Sequence, residues 1–83
     1  MKITYTAWLK DEVGIDEEVI TLPADVTNVS MLLDWLSRRG QQHERAFEFI
    51  EIVKVAVNQV YVESDHPVKD DDEIILFPPI AGG

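Results

Sequence analysis

The feature that most restricts the fold is one apolar stripe with helical spacing, placed between stretches that alternate as β-strands do. Four residues follow the i, i+3, i+4, i+7 spacing of one helix face: Val29, Leu32, Leu33 and Leu36. Thr27 or Asn28 can cap the start of this helix, and Gly40 can end it. In a chain of 83 residues, we expect this helix to cover one side of a single core.

Alternating apolar residues predict β-strands on both sides of the helix. Residues 2–9 alternate throughout, and residues 18–22, after the turn glycine Gly14, are β-branched and aliphatic. We therefore expect the first two strands to form a hairpin. Further strands are predicted at three places: residues 53–57, 60–62 and 74–77. A second, shorter helix is predicted over residues 43–51.

The order of these elements predicts an α+β fold of the β-grasp, or ubiquitin-like, type. We expect a mixed sheet of about five strands packed on the main helix, with the short helix beside it. The sheet face towards the helix is expected to carry Ile3, Tyr5, Val55, Val57, Val60, Val62, Ile74 and Leu76. The opposite face is expected to carry Thr6, Trp8, Tyr61, Ile75 and Phe77. Because that second face is more apolar than an ordinary solvated sheet face, we predict that it is an interface.

Composition excludes several classes of function. The chain has no cysteine, so disulfides, thiolate metal sites and a thiol nucleophile are excluded. Sixteen acidic residues against seven basic ones give a net charge of -9, which would repel nucleic acid. The apolar runs are too short for a signal peptide or a membrane span, so we expect no membrane partner and a cytoplasmic location.

Three polar features are interpreted as structural. The stretches Asp65-His66-Pro67 and Asp70-Asp71-Asp72-Glu73 read as turns, because aspartate and proline have ordinary roles in turns. The acidic stretch lacks the spaced ligands and the glycine of a calcium loop, so no metal site is expected. His43 is expected to be exposed.

The last residues indicate the chemistry of the chain. We predict a folded domain over residues 1–77 and an extended tail over residues 78–83. Two prolines, Pro78 and Pro79, disfavour both a helix and a central strand there. Six extended residues span about 20 Å, enough to enter the active site of another protein. Side chains shrink along the tail, which suits a tunnel that narrows towards a reactive centre: Ile80, Ala81, Gly82 and Gly83.

The terminal carboxylate of Gly83 is the predicted reacting group. A carboxylate is a poor acyl donor, so a partner would have to activate it, for example as a mixed anhydride with AMP. The acyl adenylate could then accept sulfur and become a thiocarboxylate, a nucleophile that needs no cysteine. Since no residue of the chain is suited to that activation, we expect the activating partner to use ATP and this chain to bind no cofactor.

Four motifs together resemble the small, sulfur-carrying subunit family of molybdopterin synthases. They are Ala56-Val57-Asn58-Gln59, Asp65-His66-Pro67-Val68, Asp72-Glu73-Ile74 and Phe77-Pro78-Pro79-Ile80-Ala81-Gly82-Gly83. The Phe-Pro-Pro-x-x-Gly-Gly ending is specific to that family to a degree that a bare Gly-Gly pair is not. The element order of the whole chain is similar to the family as well.

This resemblance implies the partners and the reaction. An adenylyltransferase of the ubiquitin-activating type would charge the terminal glycine, and a donor protein would supply the sulfur. The large synthase subunit would then use the thiocarboxylate to insert sulfur into the pterin precursor. The family also implies a heterotetramer in which two copies of the carrier flank a dimer of the large subunit.

The resemblance also implies roles for particular residues. Gly83 would be the thiocarboxylate site, Gly82 its spacer, and Phe77 with Tyr61 part of the contact to both partners. Two positions depart from the family pattern. Thr6 stands where relatives often have an aromatic contact residue, a loss for which Trp8 is the hypothetical compensation. Asp71 stands at a turn position where the family usually has glycine, so that turn is expected to be strained or of another type.

Two alternative functions remain open on the sequence. The chain could be a sulfur carrier of another pathway, such as the thiamine type, or a modifier attached to lysines through Gly83. It could also be a non-covalent ubiquitin-like adaptor. The Phe-Pro-Pro motif and the helical segment at residues 43–51 argue against the thiamine type, and a Gly-Gly pair at the end would be a coincidence in an adaptor.

Overall fold

The computed structural model of the chain describes residues 1–48 and 53–78, and these form five strands and three helices. In chain order they are β1 (Lys2–Tyr5), α1 (Ala7–Val13), β2 (Glu17–Val19), α2 (Val29–Ser37), α3 (Gln41–Ala46), β3 (Lys54–Val57), β4 (Val60–Val62) and β5 (Glu73–Phe77). The predicted second helix therefore begins earlier than expected. Its predicted end falls on residues 49–52, which lie outside the described residues.

The strands form one mixed sheet in the order β2-β1-β5-β3-β4. The central pair β1 and β5 is parallel, with Ile3 opposite Ile74, and every other pair is antiparallel. One face of this sheet packs on α2, whose buried side chains are the four of the predicted stripe. This arrangement agrees with the predicted β-grasp fold, although α1 is a third helix that the sequence pattern did not indicate.

The segment after β1 is where the strand prediction is wrong. β1 ends at Tyr5, and the backbone turns at Ala7, whose φ of 50° is left-handed and unusual for a residue other than glycine. Leu9 and Val13, spaced i and i+4, then bury one side of α1. Gly14 ends the helix at φ 91° and donates its N–H to Lys10 O. The strands β1 and β2 do pair antiparallel, but a helix joins them instead of a hairpin turn.

The core lies between the sheet and the helices and contains most residues predicted for that face. The confirmed and fully buried ones are Ile3, Tyr5, Val55, Val57, Ile74 and Leu76. Val62 is partly buried against the same core. Val60 was also predicted there, but it is 62% exposed, because β4 is the edge strand of the sheet.

The start of α2 depends on the stretch that contains His66. Asn28 caps the helix as predicted, since its side chain accepts a hydrogen bond from Met31 N at 2.9 Å. The first two N–H groups of the helix bind the loop before β5. Val29 N donates to His66 O at 3.0 Å, and Ser30 N donates to Ser64 O at 2.9 Å. The loop thus satisfies helix-terminal N–H groups that would otherwise lack partners.

Two turns decide how β3, β4 and β5 are connected. Asn58 and Gln59 join β3 to β4 with φ values of 50° and 72°, the signs that a two-residue hairpin turn requires. The Asn58 side chain holds the turn before β5, because its Oδ1 accepts from Glu73 N and its Nδ2 donates to Asp72 Oδ1. Asp71 has no positive φ, so the turn carries no left-handed strain at that residue.

Candidate functional site

The outer face of the sheet, opposite the helices, brings together three of the residues predicted as an interface. Thr4, Ile75, Ala56 and Tyr61 lie side by side in register across four strands. Phe77 stands on the same face, two residues after Ile75. We call Tyr61, Ile75 and Phe77 the outer patch.

The outer patch is aromatic and partly open. The rings of Tyr61 and Phe77 have centroids 5.6 Å apart at an angle of 47°. Tyr61 is 70% exposed, whereas Ile75 and Phe77 are half-buried. Ala56 below them is almost fully buried although it lies on the outer face. A large exposed aromatic side chain that leans on a second aromatic ring is typical of a protein contact surface.

Trp8 belongs to a different element from the rest of the predicted interface. The alternation placed it on the outer sheet face, but the structure places it in α1, where it is 40% exposed. Thr6 likewise does not join the outer patch. It precedes α1, and both its backbone N and its Oγ1 donate to Leu76 O, at 3.2 and 2.9 Å. Thr6 thereby attaches the start of α1 to the end of β5.

The predicted tail begins where the outer patch ends. Phe77 is the last residue of β5, and Pro78 after it is buried. The remaining predicted tail residues, Pro79, Ile80, Ala81, Gly82 and Gly83, lie outside the described residues, so their roles stay predictions. The two hydrogen bonds from Thr6 hold the carbonyl just before Phe77, and therefore hold the backbone that leads into the tail.

A partly buried polar cluster on the helix-facing side of the sheet was missed by the sequence reasoning. We call it the Glu18 cluster: Tyr5, Glu18, Arg39 and His43. Glu18 Oε2 accepts from Tyr5 Oη at 2.6 Å and lies 2.8 Å from His43 Nε2. Glu18 Oε1 lies 3.1 Å from Arg39 Nη2. His43 was expected to be exposed, but its side chain is 15% exposed and that of Glu18 is 12% exposed.

The contacts of the Glu18 cluster explain two shifted pKa values. Burial alone would raise the pKa of Glu18, but the hydrogen bonds to His43 and Tyr5 and the charge of Arg39 outweigh it and lower the pKa. Burial raises the pKa of Tyr5 well above its ordinary range, and the hydrogen bond to the Glu18 carboxylate raises it further. The cluster holds α3 and the connection that precedes it against the sheet, so we assign it to stability.

In the part of the chain that the structure describes, no three histidine or acidic side chains meet as metal ligands would. Asp72 uses its carboxylate to accept from Lys69 N and from the Asn58 amide, as expected of a structural turn. Across residues 1–48 and 53–78, the structure contains no helix with the length and apolar character needed to cross a membrane.

Comparison with known proteins decides the family. The profile of the ThiS family matches residues 3–83. The chain belongs to the ThiS family. It is 32% identical to the "Molybdopterin synthase sulfur carrier subunit" of Escherichia coli (strain K12), over 100% of this chain and 99% of that one. It is 33% identical to the protein of the same name from Dictyostelium discoideum, over 99% of this chain and 94% of that one. The resemblance stated from the motifs is thereby confirmed.

A solved structure supports the fold independently. Small archaeal modifier protein 1 of Haloferax volcanii superposes with a TM-score of 0.74, over 96% of this chain and 97% of that one. Its sequence identity to this chain is 22%, so the similarity concerns the fold alone. The β-grasp prediction is confirmed.

Proposed function

We propose that this chain is the sulfur carrier subunit of a molybdopterin synthase, with the carboxylate of Gly83 as its reacting group. The full-length match to the Escherichia coli and Dictyostelium relatives that bear this name is the observation that carries the proposal. The motif from Phe77 to Gly83 supports it, because a Gly-Gly pair leaves a terminal carboxyl group open on both faces.

Partner proteins catalyse each step of the proposed reaction. An adenylyltransferase of the ubiquitin-activating type joins the Gly83 carboxylate to AMP from ATP, and pyrophosphate leaves. A donor protein then delivers sulfur at the oxidation level of sulfide, which displaces AMP from the acyl carbon and leaves a thiocarboxylate. On the large synthase subunit this sulfur replaces an oxygen of the pterin precursor, which leaves as hydroxide, and an acyl thioester forms. Water then cleaves the acyl–sulfur bond, which leaves the sulfur on the pterin and restores the carboxylate. This chain binds no cofactor in that scheme and contributes only the carrier group.

The position of the outer patch supports delivery of the tail to a partner. A partner that covers Tyr61 and Phe77 also sits at the point where the chain leaves β5. From Phe77, six extended residues would carry Gly83 about 20 Å into that partner. The Thr6 contacts to Leu76 O fix the direction of the strand that leads there. Trp8 in α1 is the proposed additional contact in place of the family's aromatic residue.

The assembly follows from the same reasoning. Two carrier chains would flank a central dimer of the large subunit and form a heterotetramer, in which each tail enters one active site. Because activation, sulfur loading and transfer use the same tail, the carrier must leave the activating enzyme before it joins the synthase. We place these steps in the cytoplasm.

Sulfur loading tests the proposal directly. The chain is incubated with ATP, a cognate activating enzyme and a sulfur source, and its intact mass is measured. We expect a gain equal to the difference between sulfur and oxygen. Deletion of Gly83 should abolish the gain, whereas Ile80→Val, which keeps the tail length and the terminal carboxyl group, should retain it.

The acceptor of the sulfur separates the alternatives. Transfer to the pterin precursor only after addition of the large subunit is the expected result. If isopeptide-linked products accumulate instead, the chain is a protein modifier. If the sulfur reaches a thiamine precursor and not the pterin, the chain is a carrier of the other pathway. A wild-type chain that gains no mass with any activating enzyme contradicts the sulfur carrier proposal altogether.

A further inference from the structure

A charged residue that neither the motifs nor the relatives' names assign lies beside the outer patch. Lys54 is the direct cross-strand partner of Phe77 in the antiparallel pair of β3 and β5. Their side chains therefore stand next to each other on the outer face. Lys54 is exposed, and it lies at the end of the sheet from which the tail leaves. Lys54 is thus an exposed lysine beside Phe77, the residue after which the tail leaves the sheet.

Lys54 shares the outer face with two carboxylates. Glu63 directly follows Val62, the cross-strand partner of Val55, and Glu17 is the partner of Thr4 on β2. The next row across the sheet consists of Glu17, Thr4, Ile75, Ala56 and Tyr61, with the charged Glu17 at the far edge from β3.

Three other basic side chains form ion pairs within the chain: Lys2 with Glu17, Arg38 with Asp34, and Arg39 with Glu18. Among the described residues, Lys10, Arg45 and Lys69 form none. Lys54 forms no such pair with any carboxylate of residues 1–48 or 53–78.

Docking on the outer patch would remove Lys54 from water. An ammonium group that is desolvated in an interface without an opposite charge costs several kcal/mol, so a partner that fits this surface must offer a counter-charge. The tail limits what that counter-charge is. Gly83 would be about 20 Å beyond Phe77 in an extended tail. Lys54 beside Phe77 therefore cannot reach a nucleotide or a substrate at the tail's end, and its counter-charge must lie on the partner's surface.

We propose that Lys54 determines partner specificity by pairing with a carboxylate of the large synthase subunit, at the rim of the opening that receives the tail. This inference rests on the proposed function and adds a residue to it. The large subunit is the assigned partner because the relatives' name makes the carrier a subunit of the synthase, which calls for a lasting, defined contact. The ion pair fixes the orientation of the docked sheet and disfavours surfaces with a neutral or basic group at that point.

Charge reversal of Lys54 tests the proposal. The dissociation constant for the isolated large subunit is measured for the wild-type chain, Lys54→Glu, Lys54→Gln and the control Lys69→Glu. The control makes the same change in net charge at an exposed position in the loop between β4 and β5. We expect Lys54→Glu to raise the dissociation constant at least about 30-fold, Lys54→Gln to raise it less, and Lys69→Glu to change it by no more than about threefold.

Sulfur loading and stability serve as parallel measurements. We expect Lys54→Glu to fold and to gain sulfur from the activating enzyme as the wild-type chain does. Equal losses of binding in Lys54→Glu and Lys69→Glu would mean that only net charge matters, and this would overturn the proposal. So would a lower stability of Lys54→Gln, because the counter-charge would then lie within the chain. Impaired loading with intact binding to the large subunit would refute the assignment of the partner.

Failure of the proposed function would look different. In that case the wild-type chain itself would neither gain sulfur nor bind the large subunit, and the Lys54 proposal would fall with it. If the wild-type chain does both and Lys54→Glu binds equally well, only the Lys54 proposal is wrong.

Discussion

The two faces of the sheet differ in which side chains they cover: one covers polar side chains, and the other leaves aromatic side chains exposed. On the helix-facing side, the Glu18 cluster joins four polar side chains that range from buried Tyr5 to exposed Arg39, and Glu18 lies within contact distance of the other three. On the other side, the outer patch exposes aromatic side chains that are only partly covered by one another. Buried polar groups with mutual partners support stability, whereas exposed apolar groups without a covering element indicate recognition. Mutations on the two faces should therefore affect different measurements.

The largest effect is expected for Glu18→Ala, which should lower stability without changing partner binding. The change leaves the Tyr5 hydroxyl and the Arg39 and His43 side chains without the carboxylate they share. Removing one member of a largely buried ionic group costs about 3 kcal/mol. Chemical denaturation should show this loss in the free energy of unfolding.

The neighbouring residue provides the control for this prediction. Glu17 pairs with Lys2 at 3.4 Å on the surface, with both side chains about half exposed. Glu17→Ala should therefore cost less than about 1 kcal/mol. If the two variants were equally stable, the contacts of Glu18 would be energetically unimportant. The Glu18 cluster would then no longer be assigned to stability, and the contrast with the outer patch would fail.

A smaller effect, on binding instead of folding, is expected for Tyr61→Ala. Its exposed ring is available to anchor a partner, and aromatic anchors in the centre of an interface contribute about 2 kcal/mol or more. Binding to the large subunit should therefore weaken about 30-fold or more, as measured by titration. Stability should fall by only about 1 kcal/mol, since the ring contact to Phe77 is lost.

Val60→Ala is the matched control for Tyr61→Ala. Val60 lies on the same edge strand and is 62% exposed, but its side chain points to the other side of β4. We expect binding of the large subunit to remain within about threefold of the wild-type value, because the ring of Tyr61 is retained. Equal weakening by both variants would show that the partner contacts the edge of the sheet and not its outer face.

Local periodicity explains how much of the fold could be predicted. The stripe of α2 and the alternation of β3 each have one period over the whole element, and β4 and β5 are short apolar runs that follow turn residues, so the sequence pattern identified them. The segment from Tyr5 to Leu9 does not keep one period. Leu9 continues the alternation of β1, yet it is buried as part of α1, because the left-handed backbone at Ala7 changes the period from two to 3.6. Nothing in the alternation alone indicates such a residue.

The residues of the candidate site were likewise only partly predictable from the sequence. Ile75 and Phe77 were predictable because residues two apart on a strand share a face, and Tyr61 follows from the same rule on β4. The Glu18 cluster was not, because its members come from β1, β2, the connection between α2 and α3, and α3 itself. Long-range pairs of this kind depend on how the helices pack on the sheet. Lys54 became informative only when the register placed it opposite Phe77.

The smallest predicted effect is the pH dependence of the Glu18 cluster. Burial opposes ionisation of Glu18, but the contacts to His43, Tyr5 and Arg39 lower its folded-state pKa below the ordinary value of 4.5. A lowered pKa means that the unfolded chain binds a proton more readily, so Glu18 stabilises the fold above pH 4.5. This contribution should be lost progressively as the pH falls through the folded-state pKa.

Comparison of the wild-type chain with Glu18→Gln isolates this contribution. The difference in their free energies of unfolding should be largest near neutral pH and should shrink as the pH falls below 4.5. Glu17→Gln, in the exposed pair with Lys2, should differ little from wild type at any pH. A difference for Glu18→Gln that persists undiminished at pH 2 would mean that shape, and not the carboxylate charge, accounts for the role of Glu18. The residues of the Glu18 cluster would then be held together by packing, as the rest of the core is.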